Sequence, residues 1–285
     1  PHSFPTRRSS DLRRAMRVSE AARFDPDTSS PSTMSAQTYD RLIGVSLKMY
    51  KSPSETLAYV RSLLPHADLA NALQVTLFVC PDFLSLAQSS TLLSPTPILL
   101  GAQDCCDEDE GAFTGEVSPK HLAELGVALV VVGHAERRAL YGETDEWIAR
   151  KAAAAVRNGL VPVACIGEKQ EGSAAIAIDE IRPQLLSVLS AIPSTADVIF
   201  AYEPVWAIGK DTPASAAHVV AVSKALRTIA EEGGRSGKVS ILYGGSAGPG
   251  TFEKLEDGLD GLLLGRFGHD VKKLEACLRE VGIRR

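Results

Sequence analysis

The sequence predicts an α/β chain closed into a single-domain (β/α)8 barrel, and three observations predict it. From Arg41 onward, short β-branched apolar segments alternate with helix-like ones. The apolar segments are continuous instead of alternating in and out, the pattern of parallel strands covered on both faces. Eight such units occupy residues 41–285, the length of a closed barrel. An open doubly wound sheet is the competing architecture, but no Gly-rich dinucleotide fingerprint follows the first strand.

In chain order, the strands are read at Leu42–Ser46, Val75–Val79, Pro97–Gly101, Ala128–Val132, Pro162–Ile166, Val198–Tyr202, Val239–Tyr243 and Gly261–Leu264. Helical stretches lie between most of them, for example Pro53–Leu64, Asp145–Asn158 (closed by Gly159) and Ala214–Glu232. Ser118-Pro119 and Thr212-Pro213 each pair a capping side chain with Pro at the first helical position. Residues 41–285 therefore form the barrel domain. Residues 1–33 fall outside it and are expected to be a disordered or non-native tail, with initiation at Met34. They hold six Arg against four acidic residues, with Ser and Pro clusters and no helical stripe. Phe4–Leu12 (FPTRRSSDL) resembles a translated sequencing adapter. A transit peptide is the second reading, opposed by Asp11, Glu20, Asp25 and Asp27, and a basic docking arm is the third.

Composition removes several function classes. Lys+Arg 30 against Asp+Glu 35 gives a net charge of −5, opposite to the basic excess of a nucleic-acid binder. The longest apolar stretch, Leu125–Gly133, is far short of the ~18–20 residues of a membrane span. Five cysteines in 285 residues do not make a disulfide framework and point to a reducing, cytoplasmic setting.

In such barrels chemistry sits where strands end. After the first strand comes Ser46-Leu47-Lys48-Met49, with Lys48 either an active-site cation or a surface lysine with its head in water. After the fourth comes Gly133-His134-Ala135-Glu136-Arg137-Arg138, a catalytic group or a structural ion-pair network at the barrel mouth. The His-x-Glu here lacks the Pro-Cys-x-x-Cys of zinc deaminases, and no other His/Cys grouping has metal-ligand spacing. After the sixth comes Tyr202-Glu203-Pro204-Val205-Trp206-Ala207-Ile208-Gly209. A carboxylate partly removed from water by Pro, Trp and Ile makes a better base, and the Pro-led apolar loop ending at Gly209 reads as a hinged lid. A strand-capping Glu is the plainer reading. After the last two come Gly244-Gly245-Ser246 and Gly265-Arg266, adjacent loops whose N–H groups suit an anion, the usual phosphate position of these barrels. Asp104–Glu110 (DCCDEDE) reads as a solvated loop. Gly234–Lys238 precedes a strand and so is no P-loop.

Together GAFTGEVS at 111–118, GHAERR at 133–138, YEPVWAIG at 202–209, YGGS at 243–246 and LKM at 47–49 resemble the triosephosphate isomerase family, from about Arg41 to the C-terminus. The resemblance implies a TIM barrel that interconverts dihydroxyacetone phosphate and glyceraldehyde 3-phosphate in glycolysis and gluconeogenesis, with no cofactor or metal. It also implies the family's known roles. Glu203 would be the base, and His134 would polarise the carbonyl and shuttle protons between the oxygens. Lys48 would supply positive charge, and Glu136 would hold the neighbourhood of Lys48 and Arg138. Gly209, Ser246 and Gly265 would donate N–H groups to phosphate, and residues 204–213 would be the lid. The GAFTGEVS segment resembles the loop that enters a neighbouring subunit, with Thr114 at its tip, so a homodimer is expected.

The sequence departs from the family around phosphate and lid. Ser46 stands for Asn in the substrate-binding segment, Leu47 for Trp, Asp104 for Asn, and Arg266 for the second Gly of the last phosphate loop. Gly209 runs into Lys210-Asp211-Thr212-Pro213 where the family has a Thr-Gly-Lys-containing stretch. These changes resemble the erythrulose-phosphate isomerase branch, whose substrates have four carbons. Arg266 would then add a charge-assisted phosphate contact. Two further readings compete: a Schiff-base aldolase on Lys48, opposed by acidic neighbours that hold an amine as ammonium, and a non-catalytic sugar-phosphate-binding paralogue.

Overall fold

The computed structural model describes residues 40–208 and 214–282. The expected tail at 1–33 and residues 209–213 of the lid, Gly209 included, lie outside the described residues. Eight parallel strands close in sequence order: β1 Arg41–Ser46, β2 Val75–Cys80, β3 Leu99–Ala102, β4 Leu129–Val132, β5 Val161–Ile166, β6 Val198–Tyr202, β7 Val239–Tyr243 and β8 Gly261–Leu264. The ring is shut by β1 against β8, Leu42 opposite Gly261 through Val45 opposite Leu264.

Helices α1 Pro53–Leu63, α2 Ala67–Ala72, α3 Leu86–Leu93, α4 Pro119–Glu124, α5 Ala135–Tyr141, α6 Asp145–Arg157, α7 Ala174–Ala191, α8 Ala216–Glu232 and α9 Val271–Val281 lie between or after the strands. Their starts are written in capping side chains. Ser52 and Glu55 form a reciprocal capping box at α1, Ser118 accepts from His121 N at α4, and Thr144 accepts from Trp147 N at α6. One start differs from expectation. Ser215, accepting from His218 N, caps α8, which begins at Ala216, beyond Thr212-Pro213.

Alternation inside each strand explains both the core and the site. Leu42, Phe78, Cys80, Leu129, Val131, Val163, Cys165, Ile199, Ala201, Leu242 and Leu263 form one buried cluster that fills the barrel. The alternate residues, such as Ile43, Val45, Val79, Val130, Phe200 and Ile241, pack outward beneath the helices. With a period of two, the inward series Leu42–Gly44 continues to Ser46, Ile199–Ala201 to Glu203, Leu242 to Gly244, and Gly261–Leu263 to Gly265. The residues beyond the packed interior thus share the inward face at one end of the barrel.

The acidic run Asp104–Glu110 is a correction. It is not simply a solvated loop, because its Asp residues take partners. Asp104 is buried against Lys151 Nζ at 2.8 Å and Arg137 Nε at 2.7 Å, Asp107 meets Arg150 at 2.8 Å, and Asp109 meets Arg157 at 3.0 Å. These cations come mostly from α6, more than 40 residues away in sequence, so no local pattern displays the pairing.

Candidate active site

At the strands' C-terminal end a cavity of about 170 Å³ is lined by Ser46, Lys48, His134, Glu136, Glu203, Ser246, Gly265 and Arg266, among others. All the sequence-expected site residues except Gly209 therefore converge on one cavity.

Lys48 reaches it through a tight turn. Tyr50 N donates to Leu47 O at 3.3 Å, and Lys48 takes a left-handed φ of 47°. That conformation costs a non-Gly residue roughly 1–2 kcal/mol, a kind of strain found at functional positions. Its result is that Leu47 is buried, Met49 points into solvent and Lys48 lines the cavity. Lys48 Nζ donates to Glu136 Oε1 at 2.7 Å. Burial works against the Glu136 charge, but the hydrogen bond and the charge of Lys48 hold the carboxyl below its usual range.

His134 is the N-cap of α5. Gly133 ahead of it has φ 69°, and a Cβ there would meet Ile148 at 2.7 Å, so only Gly makes the turn that leads β4 into α5. Glu136 N donates to His134 Nδ1 at 3.2 Å. On the neutral ring this leaves the proton on Nε2, which lies 3.5 Å from Glu203 Oε1.

Glu203 is 2% exposed, and its Oε2 meets no hydrogen-bond partner among the described residues. A buried carboxylate oxygen without a partner is costly unless function uses it. The carboxylate rests against Gly244, where a Cβ would come within 2.7 Å of its Cγ and 2.8 Å of Oε1. Gly244 is therefore set by the space the carboxylate needs. Beneath it, burial and then the Glu203 charge push the Cys165 thiol well above its usual value, keeping it neutral.

The segment after Glu203 is anchored from below. Trp206 Nε1, Tyr202 Oη and His218 Nε2 lie 2.8, 3.1 and 3.0 Å from Glu168 Oε1, and Val205 N donates to Glu168 O at 2.9 Å. Sequence reading missed Glu168. It sits two residues beyond β5, in the strand-end position that flagged the other sites.

On the opposite side, Ser246 and Gly265 line the cavity beside exposed Arg266. No hydrogen bond among the described residues uses the N–H of Ser246 or Gly265. One expected contact is corrected: Arg138 is not held by Glu136. It donates to Gly133 O at 2.9 Å and Asp145 at 2.5 Å, because its position on α5 turns it behind the cavity toward α6.

Comparison with known proteins gives a consistent result. The family model for triosephosphate isomerase matches residues 41–281. An L-erythrulose-1-phosphate isomerase of Pectobacterium atrosepticum is 46% identical over 246 residues, covering 84% of this chain and 94% of its own. A triosephosphate isomerase of Aquifex aeolicus is 39% identical over 237 residues, covering 81% and 95%. An L-erythrulose-1-phosphate isomerase of Brucella abortus is also 39% identical over 237 residues, covering 81% and 92%.

Proposed function

The chain belongs to the triosephosphate isomerase family of isomerases, and from that premise we propose that it moves a carbonyl between adjacent carbons of a short ketose phosphate without a cofactor. The single observation that carries the chemistry is the convergence of Glu203, His134 and Lys48 on one cavity that also holds unpartnered backbone N–H groups. Glu203 removes a proton from the carbon next to the carbonyl; the C–H electron pair becomes the C–C double bond of an enediolate as the carbonyl π pair moves onto oxygen. His134 Nε2–H donates to that oxygen and then takes the proton of the neighbouring hydroxyl, so the ring ends as it began. Glu203 returns its proton to the former carbonyl carbon. Lys48 stabilises the developing negative charge, the role that preorganised groups serve best, and Glu136 fixes its direction. The phosphate sits at Ser246 and Gly265, with Gly209 as a third N–H donor from outside the described residues and residues 204–213 closing over it.

Between three and four carbons, the four-carbon ketose phosphate fits this site better. Ser46 is shorter than the Asn of the triose enzymes, and Arg266 adds a cation beside the phosphate glycines. The 46% identical relative bears that substrate's name. In L-erythrulose 1-phosphate the C1 oxygen is esterified, so the carbonyl can move only from C2 to C3. The product is another erythrulose phosphate, reached through a C2–C3 enediolate. The triose reading rests on the intact Glu203–His134–Lys48 trio, which serves both substrates, and on the 39% identical triosephosphate isomerase. Turnover of dihydroxyacetone phosphate and L-erythrulose 1-phosphate, measured in parallel, decides between them, and activity on neither would leave a binding protein. Arg266→Ala is expected to raise KM for the ketose phosphate about 10-fold or more, since a hydrogen bond to a charged group contributes about 1.5–3 kcal/mol. An unchanged KM would remove Arg266 from the phosphate site.

We further propose a homodimer through the loop around Thr114. The loop's base is closed by Cys106 N to Val117 O at 2.8 Å, and exposed Phe113 and Thr114 stand at its outer end. Met49, at 95% exposure, and Leu84, at 84%, are further apolar side chains that such an interface would cover. A monomeric mass at full activity would contradict this. The five cysteines are all free and buried, which suits the cytoplasm. No helix among the described residues is long and apolar enough to cross a membrane.

A further inference from the structure

The loop after β8 brings Gly265 and Arg266 to the cavity. It runs as a tight turn through Arg266–His269, with Gly268 N donating to Gly265 O at 2.9 Å. So short a turn has few bonds of its own, and its place depends on what it is tied to.

Three contacts tie it to β1 and α1. A Cβ at Gly268 would meet Leu264 at 2.9 Å and Val45 at 3.0 Å, so the backbone of the turn lies directly on a β1 side chain. The buried Tyr59 of α1 donates its hydroxyl to Gly268 O. His269 Nε2 lies 3.0 Å from Ser46 O. Donation to a carbonyl places the proton on that nitrogen. Burial holds His269 below its usual value, assisted by the Lys51 and Lys48 charges and opposed by the Ser46 bond. Tyr50 and Tyr59 flank the imidazole edge-on at 5.7 and 6.4 Å and orient it.

The register of β1 with β8 ends at Val45 opposite Leu264. The imidazole takes the next β1 carbonyl, Ser46 O, and so continues the attachment where the ladder stops. The end of β1 is also held from its other side. Leu47 N donates to Cys80 O at 3.1 Å, and Gln103 Nε2 donates to Lys48 O at 3.0 Å and to Cys80 O at 3.1 Å. Loss of the imidazole would therefore release the turn and leave Lys48 in place. His269 is outside the cavity lining, whereas Gly265, Arg266 and Ser46 belong to it.

We propose that His269 is a positioning residue for the phosphate site: its imidazole, bonded to Ser46 O, holds the turn after β8 against the end of β1 and so sets where the Gly265 N–H and Arg266 meet the phosphate. This rests on the phosphate assignment made above and adds the residue that fixes its geometry from behind.

The test is kcat and KM of wild type, His269→Gln and His269→Leu on L-erythrulose 1-phosphate and dihydroxyacetone phosphate, beside calorimetric titration with inorganic phosphate. Gln carries an amide nitrogen to about the place of the imidazole Nε2 and keeps the donor, whereas Leu removes it. His269→Leu is expected to raise KM and the phosphate Kd about 5- to 10-fold, the scale of one hydrogen bond, with kcat within about 2-fold. His269→Gln is expected to stay within about 2-fold of wild type on every measure. His269→Asn, too short to reach Ser46 O, replaces the Leu variant if a thermal melt shows that variant unfolded. An unchanged KM without the donor, a loss confined to kcat, or equal weakening with Gln and with Leu would overturn the assignment. A wild type inactive on both sugars would overturn the isomerase reading, and the phosphate titration would then decide the role of His269 by the same comparison. A wild type that binds no phosphate would overturn it as well.

Discussion

Glu203→Gln is expected to fold as the wild type does and to lose about 10²–10⁴-fold in kcat, the range that a positioned acid–base group contributes. Gln preserves the shape of a side chain that is almost fully buried, and it relieves a buried charge whose Oε2 meets no partner among the described residues. Stability therefore has no reason to fall, whereas an amide cannot accept the proton of a carbon acid. The loss should appear in kcat with little change in KM, because the proposed phosphate contacts on the loops after β7 and β8 are untouched. Steady-state kinetics beside a thermal melt check both halves. Turnover near the wild-type rate would mean that another group is the base.

The second large effect lies in stability. Lys151 on α6 is fully buried, its Nζ 2.8 and 2.9 Å from the Asp104 oxygens and 2.5 Å from Glu143 Oε1. Arg137 Nε completes the group at 2.7 Å from Asp104 and 2.6 Å from Glu143. Burial works against the Lys151 charge, but the two carboxylates outweigh it and hold its amine above the usual lysine value. Lys151→Met leaves two buried carboxylates with one guanidinium, and removing one partner of a buried pair costs about 3–5 kcal/mol. Chemical denaturation should show a loss of that size, and adding Asp104→Asn should restore part of it by returning the group to neutrality. A loss below about 1 kcal/mol would class the pair with surface bridges.

This network also marks where sequence reading ends. The strands were legible because parallel strands buried on both faces leave continuous apolar runs. β6, β7 and β8 start and end at the residues the pattern indicates, and Ser118-Pro119 marks the start of α4 as read, whereas Ser215 and not Thr212 caps α8. The site residues were legible because an inward strand residue followed by a loop places chemistry at the barrel mouth. Pairings across sequence were not. Asp104 meets Lys151 47 positions away, and His269 meets Ser46 223 positions away. In each pair one residue reads as an ordinary surface group, and only closure of the barrel supplies its partner. Gly244 was read as a phosphate glycine, and its packing against Glu203 appears only once β6 and β7 lie side by side.

The most direct measurement is hydrogen exchange from solvent. Wild-type protein in deuterated water with L-erythrulose 1-phosphate or dihydroxyacetone phosphate should incorporate deuterium at a carbon next to the carbonyl, and Glu203→Gln should not. Product formed without solvent deuterium, or exchange that survives in Glu203→Gln, would contradict proton transfer through that carboxylate.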